Sequence, residues 1–323
     1  MLLSIIIPCY NSEKFIANTL NLLLSQGLND CEVIVINDGS TDNTSKIVHK
    51  ITEENKNIKI FDKKNEGVSN ARNYGLSVAT GEFIYFLDSD DALETNTLKY
   101  FRMILNNKSS NFFAFGYYSK DEKGKIKNYY YPKIDNKILN SEQIKKLFLL
   151  KKLNFHVCSC IYKRKFLIDN KIVFLPNIAI GEDIVFLLNV IKKADECFYS
   201  SRKCYIYQIR TDSVMGGYRF KIFNKKNLLS YELRKEKAFE LFSKEDKLNK
   251  YLNFWICVQY ISHYFMYLKS VTKDKNITSV FIRDCSLFKQ KVKFSFSINY
   301  FAIIIFKVFP KSFLLKLLKG ERR

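Results

Sequence analysis

The chain has 323 residues, 47% hydrophobic, 15% aromatic and 26% charged, with only 4 Pro and 11 Gly. This composition suits one large domain, or a domain with an appendage, and excludes a collagen-like, low-complexity or largely disordered chain. The net charge is +21, but residues 1–100 carry 9 Lys and Arg against 14 Asp and Glu, while residues 219–323 carry 23 against 8.

Residues 101–218 lie between these extremes, with 21 basic residues against 10 acidic. Such asymmetry points to an anionic partner, either nucleic acid or a membrane surface. The eight Cys are scattered, without a CxxC pair, so a reducing, cytoplasmic setting is expected rather than a disulfide framework. Residues 2–7 are too short for a signal-peptide core and stop at Pro8. No stretch is long enough to span a bilayer.

Residues 2–7, LLSIII, read as a first strand, and Pro8-Cys9-Tyr10-Asn11 as the loop leaving it. Phe15, Ile16, Leu20, Leu23 and Leu24 recur at helical spacing over 13–25. Residues 31–36 form a second apolar strand ending in Asn37-Asp38-Gly39-Ser40, with Thr41 or Asp42 as N-cap of the next helix. A short strand at 58–61 and a helix over 67–77 follow. The fourth strand opens FIYFLDSDDA, residues 83–92. Alternating strands and helices predict an α/β fold with a doubly wound, mostly parallel sheet. In such sheets ligands bind outside the carboxyl ends of the strands. The clusters PCYN, NDGS and DSDD should therefore meet at one edge.

Three carboxylates in the four residues 88–91 repel one another and suit a hard cation. Mg²⁺ and Mn²⁺ take oxygen ligands and bridge carboxylates to substrate phosphates. The same residues also suit a solvated turn capping the next helix. Further on, 112–118 reads as a strand, 121–132 as a charged loop or hairpin, and Asn140 with Gln143 as a capping box for a helix through about 151. A helix over 183–193 and a last strand over 204–209 follow, then helical pattern from 222 onward. The three His, at 49, 156 and 263, form no ligand spacing. His156, near Cys158 and Cys160, reads as core or acceptor-side structure.

SIIIPCYNSEKFI at 4–16, VIVINDGSTDNT at 33–44, NEGVSNARNYGL at 65–76, GEFIYFLDSDD at 81–91 and GED at 181–183 together resemble a family 2 glycosyltransferase with the GT-A, Rossmann-like fold. The resemblance implies inverting transfer of a sugar from a nucleotide diphosphate, expected to be UDP, to a hydroxyl of a glycan or lipid-linked glycan. It implies a GT-A domain over 1–218, divided into a nucleotide-sugar half (1–105) and an acceptor half (106–218). A basic helical extension follows over 219–323.

In the donor site Tyr10 would stack on the base, with Pro8, Asn11 and Glu13 lining the same loop. Asp38 would accept from uracil N3–H; where Asn37 stands the family more often has Asp. Arg72 would reach a base carbonyl or phosphate, its approach shaped by Asn65 and Gly67. Asp88 would contact ribose or sugar beside Ser89, and Asp90 or Asp91 would hold Mn²⁺ or Mg²⁺. Asp183 is the expected general base, oriented or tuned by Glu182. Arg210 and Ser213 match a loop that approaches the diphosphate. Residues 299–323 mix bulky apolar residues with regular Lys, suiting an amphipathic helix on the inner face of an anionic membrane, or one packed on the core or a second subunit. Transfer to a polyprenyl phosphate is the alternative within the family. A basic nucleic-acid-binding protein is the alternative outside it, against which stand the lack of any nucleic-acid motif and the clustering of carboxylates at strand ends.

Overall fold

A computed structural model describes residues 1–130, 134–176, 178, 181–210, 225–269 and 279–280. Its first half alternates β1 (Leu3–Cys9), α1 (Ile16–Leu24), β2 (Cys31–Asp38), α2 (Thr44–Glu54), β3 (Ile58–Lys63), α3 (Val68–Val78) and β4 (Phe83–Phe86). Residues of β1, β2 and β4 are buried on both faces, as expected of strands covered by helices on either side. The second half contains β5 (Ala92–Leu93), α4 (Thr97–Asn107), β6 (Phe112–Asp121), β7 (Ile126–Tyr130), β8 (Lys137–Asn140), α5 (Ser141–Leu149), β9 (Cys160–Lys163), α6 (Arg164–Asp169), α7 (Glu182–Lys193) and β10 (Glu196–Ile209). Two helices follow, α8 (Lys225–Phe242) and α9 (Asn249–Lys269).

All ten strands join one sheet in the order β3-β2-β1-β4-β9-β6-β10-β5, with β7 on β6 and β8 on β10. β1 pairs in parallel with β2 and β4, β2 with β3, and β6 with β10, while β9 runs antiparallel between β4 and β6. The chain moves outward from β1 to β3 and returns on the other side as β4. That reversal opens the crevice at the carboxyl ends of β1, β2 and β4 where doubly wound folds bind ligands.

Several expectations sharpen. The helix foreseen with Thr41 or Asp42 as N-cap instead begins at Thr44 with Asn43 as N-cap, and Asp42, one residue earlier, accepts from Thr44 N at 2.9 Å. The capping box at Asn140 and Gln143 forms with both hydrogen bonds present. The last strand begins at 196 rather than 204, because the register shifts at Ser200–Lys203 put a polar bulge in its middle, and that bulge hides the alternation. β9, four residues long, had no periodicity to announce it.

A single apolar core runs through the described residues. Phe86, Tyr162, Phe174 and Phe186 pack edge-to-face and stacked beneath the crevice, with the Phe174 and Phe186 ring centroids 4.1 Å apart. Ala238, Phe242, Leu252 and Trp255 of α8 and α9 join the same core, and these helices pack on α7 and α5. Among the described residues no helix is long and apolar enough to cross a membrane. The expected amphipathic segment 299–323 lies outside the described residues.

Candidate active site

Three strand-end loops are laced together by short polar side chains. In the loop after β1, Asn11 adopts φ 48 and its Oδ1 accepts from Thr41 N at 2.8 Å, while its own N–H donates to Ser40 Oγ at 3.0 Å. Glu13 accepts from Asn43 N at 3.0 Å. Ser12 N donates to Thr44 Oγ1 at 2.7 Å, and Ser12 Oγ lies 2.8 Å from Ser89 Oγ in the loop after β4. PCYN, NDGS and DSDD thus meet at one edge. Pro8 is buried at the end of β1, whereas Tyr10 is half exposed, its ring open to stack on a flat partner.

Asp38 is buried at the end of β2. Its Oδ1 accepts from Lys63 Nζ at 2.7 Å and Glu66 N at 3.0 Å, and its Oδ2 from Gly67 N at 2.8 Å. Gly39 follows with φ +73, and a Cβ there would meet Asn65 N at 2.7 Å. Any side chain at 39 would push away the 65–67 loop, so glycine is required. Asn65 and Gly67 are therefore brought beside Asp38, as expected.

The Arg72 guanidinium is buried: Nη2 donates to Asp88 Oδ1 at 2.8 Å and Nη1 to Glu182 Oε1 at 3.1 Å, over the Phe174 ring at 5.0 Å. It joins the strand-end turn of the donor half to the first residue of α7. Burial pushes the Asp88 carboxyl up, but the charge and hydrogen bond of Arg72 outweigh it, and Asp88 sits below the ordinary carboxylate range. Glu182 goes the other way: burial and the neighbouring Asp183 charge raise it against the pull of Arg72.

The remaining carboxylates of the turn separate. Asp91 is buried, its Oδ2 accepting from the Tyr205 hydroxyl and its Oδ1 from Gln208 N at 2.8 Å. Burial, with the charges of Asp90 and Asp88, pushes its pKa well up. Asp90 is one-third exposed and faces a cavity of about 500 Å³ lined by Lys14, Phe15, Asn18 and Arg210 among others. Arg210 Nη1 lies 3.3 Å from Asp90 Oδ2, with its guanidinium over the Phe15 ring. Ser213 lies outside the described residues. No group of three metal-ligating side chains gathers among the described residues. A single accessible carboxylate still fits Mg²⁺ or Mn²⁺, which are commonly held by one or two carboxylates plus substrate phosphates and water.

On the acceptor side, Gly181 has φ +85 and starts α7. A Cβ there would come within 2.9 Å of Arg234 Nε from α8. Asp183 is partly exposed, its Oδ1 accepting from Ile184 N at 2.7 Å. Arg234 also contacts His263 Nε2, whose Nδ1 meets Gln259 O at 2.7 Å. Burial and the Arg234 charge pull Lys151 down to about 8, against the attraction of Asp183. Sequence reading passed over Arg234, Lys151, Tyr205 and Gln208, because no local motif links them to residues far away in the chain.

A sequence model described as "Glycosyl transferase family 2" matches residues 4–170. The chain belongs to this family. Its sheet is that of the GT-A fold. Among relatives, EpsJ of Bacillus subtilis (strain 168), named an uncharacterized glycosyltransferase, is 28% identical over 218 residues, covering 66% of this chain and 62% of EpsJ. TarS of Staphylococcus aureus (strain Mu50), a poly(ribitol-phosphate) beta-N-acetylglucosaminyltransferase, is 30% identical over 218 residues, covering 66% of this chain and 36% of TarS. The matches thus span less than two thirds of these relatives' own lengths. The crystal structure of S. aureus TarS 1–349 in complex with UDP-GlcNAc superposes with a TM-score of 0.66 at 26% identity, covering 81% of this chain and 73% of that one.

Proposed function

We propose that this family 2 protein is a metal-dependent inverting glycosyltransferase, moving a sugar from UDP to a hydroxyl of a glycan or lipid-linked glycan in cell-surface polysaccharide synthesis. The observation that carries this reading is the Arg72 bridge: one buried guanidinium holds Asp88 of the donor turn and Glu182 beside Asp183 in a single centre. The UDP-GlcNAc complex of TarS supports UDP as the nucleotide.

In this reading Tyr10 stacks on the base, Asp38 receives its N–H through an Oδ2 lone pair, and Asp88 meets ribose or sugar. Asp90, rather than the internally bonded Asp91, holds Mn²⁺ or Mg²⁺, which when bound offsets the charge that builds on the departing diphosphate. Asp183 takes the acceptor hydroxyl's proton as the new oxygen–carbon bond forms at the anomeric centre. The bonding pair of the broken bond leaves with UDP. Glu182, held by Arg72, fixes the start of α7 on which Asp183 stands.

Hydrolysis of a panel of nucleotide sugars tests the donor assignment. Equal rates for UDP-, GDP- and CDP-sugars, or no turnover of any, would defeat it. The basic C-terminal region is assigned to an anionic membrane face. Deleting 299–323 should release the protein from anionic vesicles with donor hydrolysis intact, and a truncated chain that still binds them refutes that assignment.

A further inference from the structure

His156 lies between α5 and β9, opposite the Arg72 bridge, and its ring is held from several sides. It stacks on Tyr205 with centroids 5.0 Å apart and 24° between planes, and tilts against Tyr117 at 5.6 Å and Tyr207 at 5.9 Å. Its Nδ1 accepts the backbone N–H of Cys158 at 3.2 Å, and the backbone N–H of His156 donates to Ser159 Oγ at 3.0 Å. A backbone amide has only a proton to give, so Nδ1 carries a lone pair and Nε2 must carry the ring's hydrogen. The charges acting on the ring are Asp88, Arg72 and Glu182, the members of the bridge. Burial pulls its pKa to about 4, which agrees with one fixed neutral tautomer. Among the described residues Nε2–H has no hydrogen-bond partner, yet it is not one of the sealed, unsatisfied atoms. A rigid, neutral donor is therefore held against Tyr205, whose hydroxyl bonds Asp91 of the strand-end turn.

We propose that His156 is a further substrate-binding residue, its Nε2–H donating to a hydroxyl or carbonyl oxygen of the sugar being transferred. The inference rests on the donor-site reading above. The ring stacks on Tyr205, which is bonded to Asp91 of the donor turn; that favours the donor's sugar over the acceptor, and a neutral donor suits an uncharged oxygen better than a phosphate.

Calorimetry with UDP, UDP-GlcNAc, UDP-glucose and UDP-galactose tests this on the full chain. His156→Phe keeps a ring against the tyrosines without the donor. His156→Asn keeps an acceptor for Cys158 N but does not reach as far as Nε2. His156→Gln restores a donor near Nε2. Both the Phe and the Asn variants should leave UDP affinity unchanged. They should weaken the best-bound UDP-sugar up to about tenfold, the worth of one neutral hydrogen bond, and Gln should recover most of that loss. Equal losses for UDP and UDP-sugar would make the ring structural and overturn the proposal, as would UDP-sugar affinity unchanged in both Phe and Asn. A loss confined to transfer, with UDP-sugar binding intact, would put the contact on the acceptor and overturn it too. If wild type binds none of the four, the donor reading itself fails and this proposal falls with it.

Discussion

The donor half and the acceptor half reach the same crevice by opposite routes. In the donor half the site is made of strand ends, and its partners are other strand ends: Asn11 with Thr41, Ser12 with Thr44 and Ser89, Asp38 with the 65–67 loop. On the acceptor side Asp183 stands on a helix start whose neighbours come from far along the chain, Arg72 on Glu182 and Arg234 on Gly181. Short strand-end loops suit a ligand of fixed shape, whereas the surroundings of Asp183 are assembled by later helices. Arg72 is where the two meet.

The largest expected effect separates the two functions. Asp183→Asn keeps the side-chain shape and removes the proton acceptor, so transfer should fall by about 10²–10⁴, the usual worth of a general base. UDP affinity should stay near wild type by calorimetry. Transfer at wild-type rate would send the search for a base to another acceptor-side residue. Next is the bridge. Arg72→Met leaves Asp88 and Glu182 without their buried countercharge, and breaking such a pair costs about 3–5 kcal/mol. Urea unfolding should show a loss of that order. A loss under about 1 kcal/mol would place the bridge among surface-like pairs of little worth.

How much of this was legible in sequence follows the same division. β1, β2 and β4 are continuous apolar runs with polar endings, so both the sheet and the meeting of PCYN, NDGS and DSDD could be read directly. Asp38 could be singled out from its place in NDGS at the end of β2, within a motif that resembles the family's. Arg72 was recognised, but not its bridge to Asp88 and Glu182, since a helix-face arginine carries no mark of which carboxylate lies across the fold. Arg234 and Lys151 were invisible for a related reason: their meaning comes from contacts with Gly181 and Asp183, set by packing of α7 on α8. His156 was noticed only as a neighbour of cysteines. Its role depends on the ring's hydrogen-bond geometry, which no spacing encodes.

A third prediction probes the donor half alone. Glu32 is buried and accepts from Ser4 Oγ, Thr80 N and Thr80 Oγ1, each at 2.7 Å, tying β1 and β2 to the turn before β4. Burial pushes its pKa up, but those hydrogen bonds and Lys59 prevail and bring it to about 2. A folded pKa below the unfolded value means stability that is full above about 4.5 and is lost as pH falls toward about 2. By linkage this amounts to as much as about 3 kcal/mol. Glu32→Gln should flatten the acid limb of unfolding between pH 4.5 and 2.5. An unchanged limb would mean that other carboxylates, Asp88 among them, dominate it.

The smallest effect sharpens the line between binding and support inside one turn. Asp90 and Asp91 are adjacent and both line the cavity, yet Asp90 is one-third exposed, while both oxygens of Asp91 are taken by Tyr205 and Gln208 N. Because burial raises Asp91, an amide at that position resembles the protonated acid, and the Tyr205 hydroxyl can turn to accept from its NH₂. Asp91→Asn should therefore cost only about 1 kcal/mol of stability, the worth of one rearranged hydrogen bond, and leave the Mn²⁺ dependence of UDP binding intact. Asp90→Asn should do the reverse, keeping the melting temperature and abolishing the gain in UDP affinity that Mn²⁺ gives the wild type. Chelation provides the control, since wild type without metal and Asp90→Asn with it should bind UDP equally. If Asp91→Asn loses the metal response instead, the buried carboxylate must turn outward when the donor binds, and Tyr205 would have to release it.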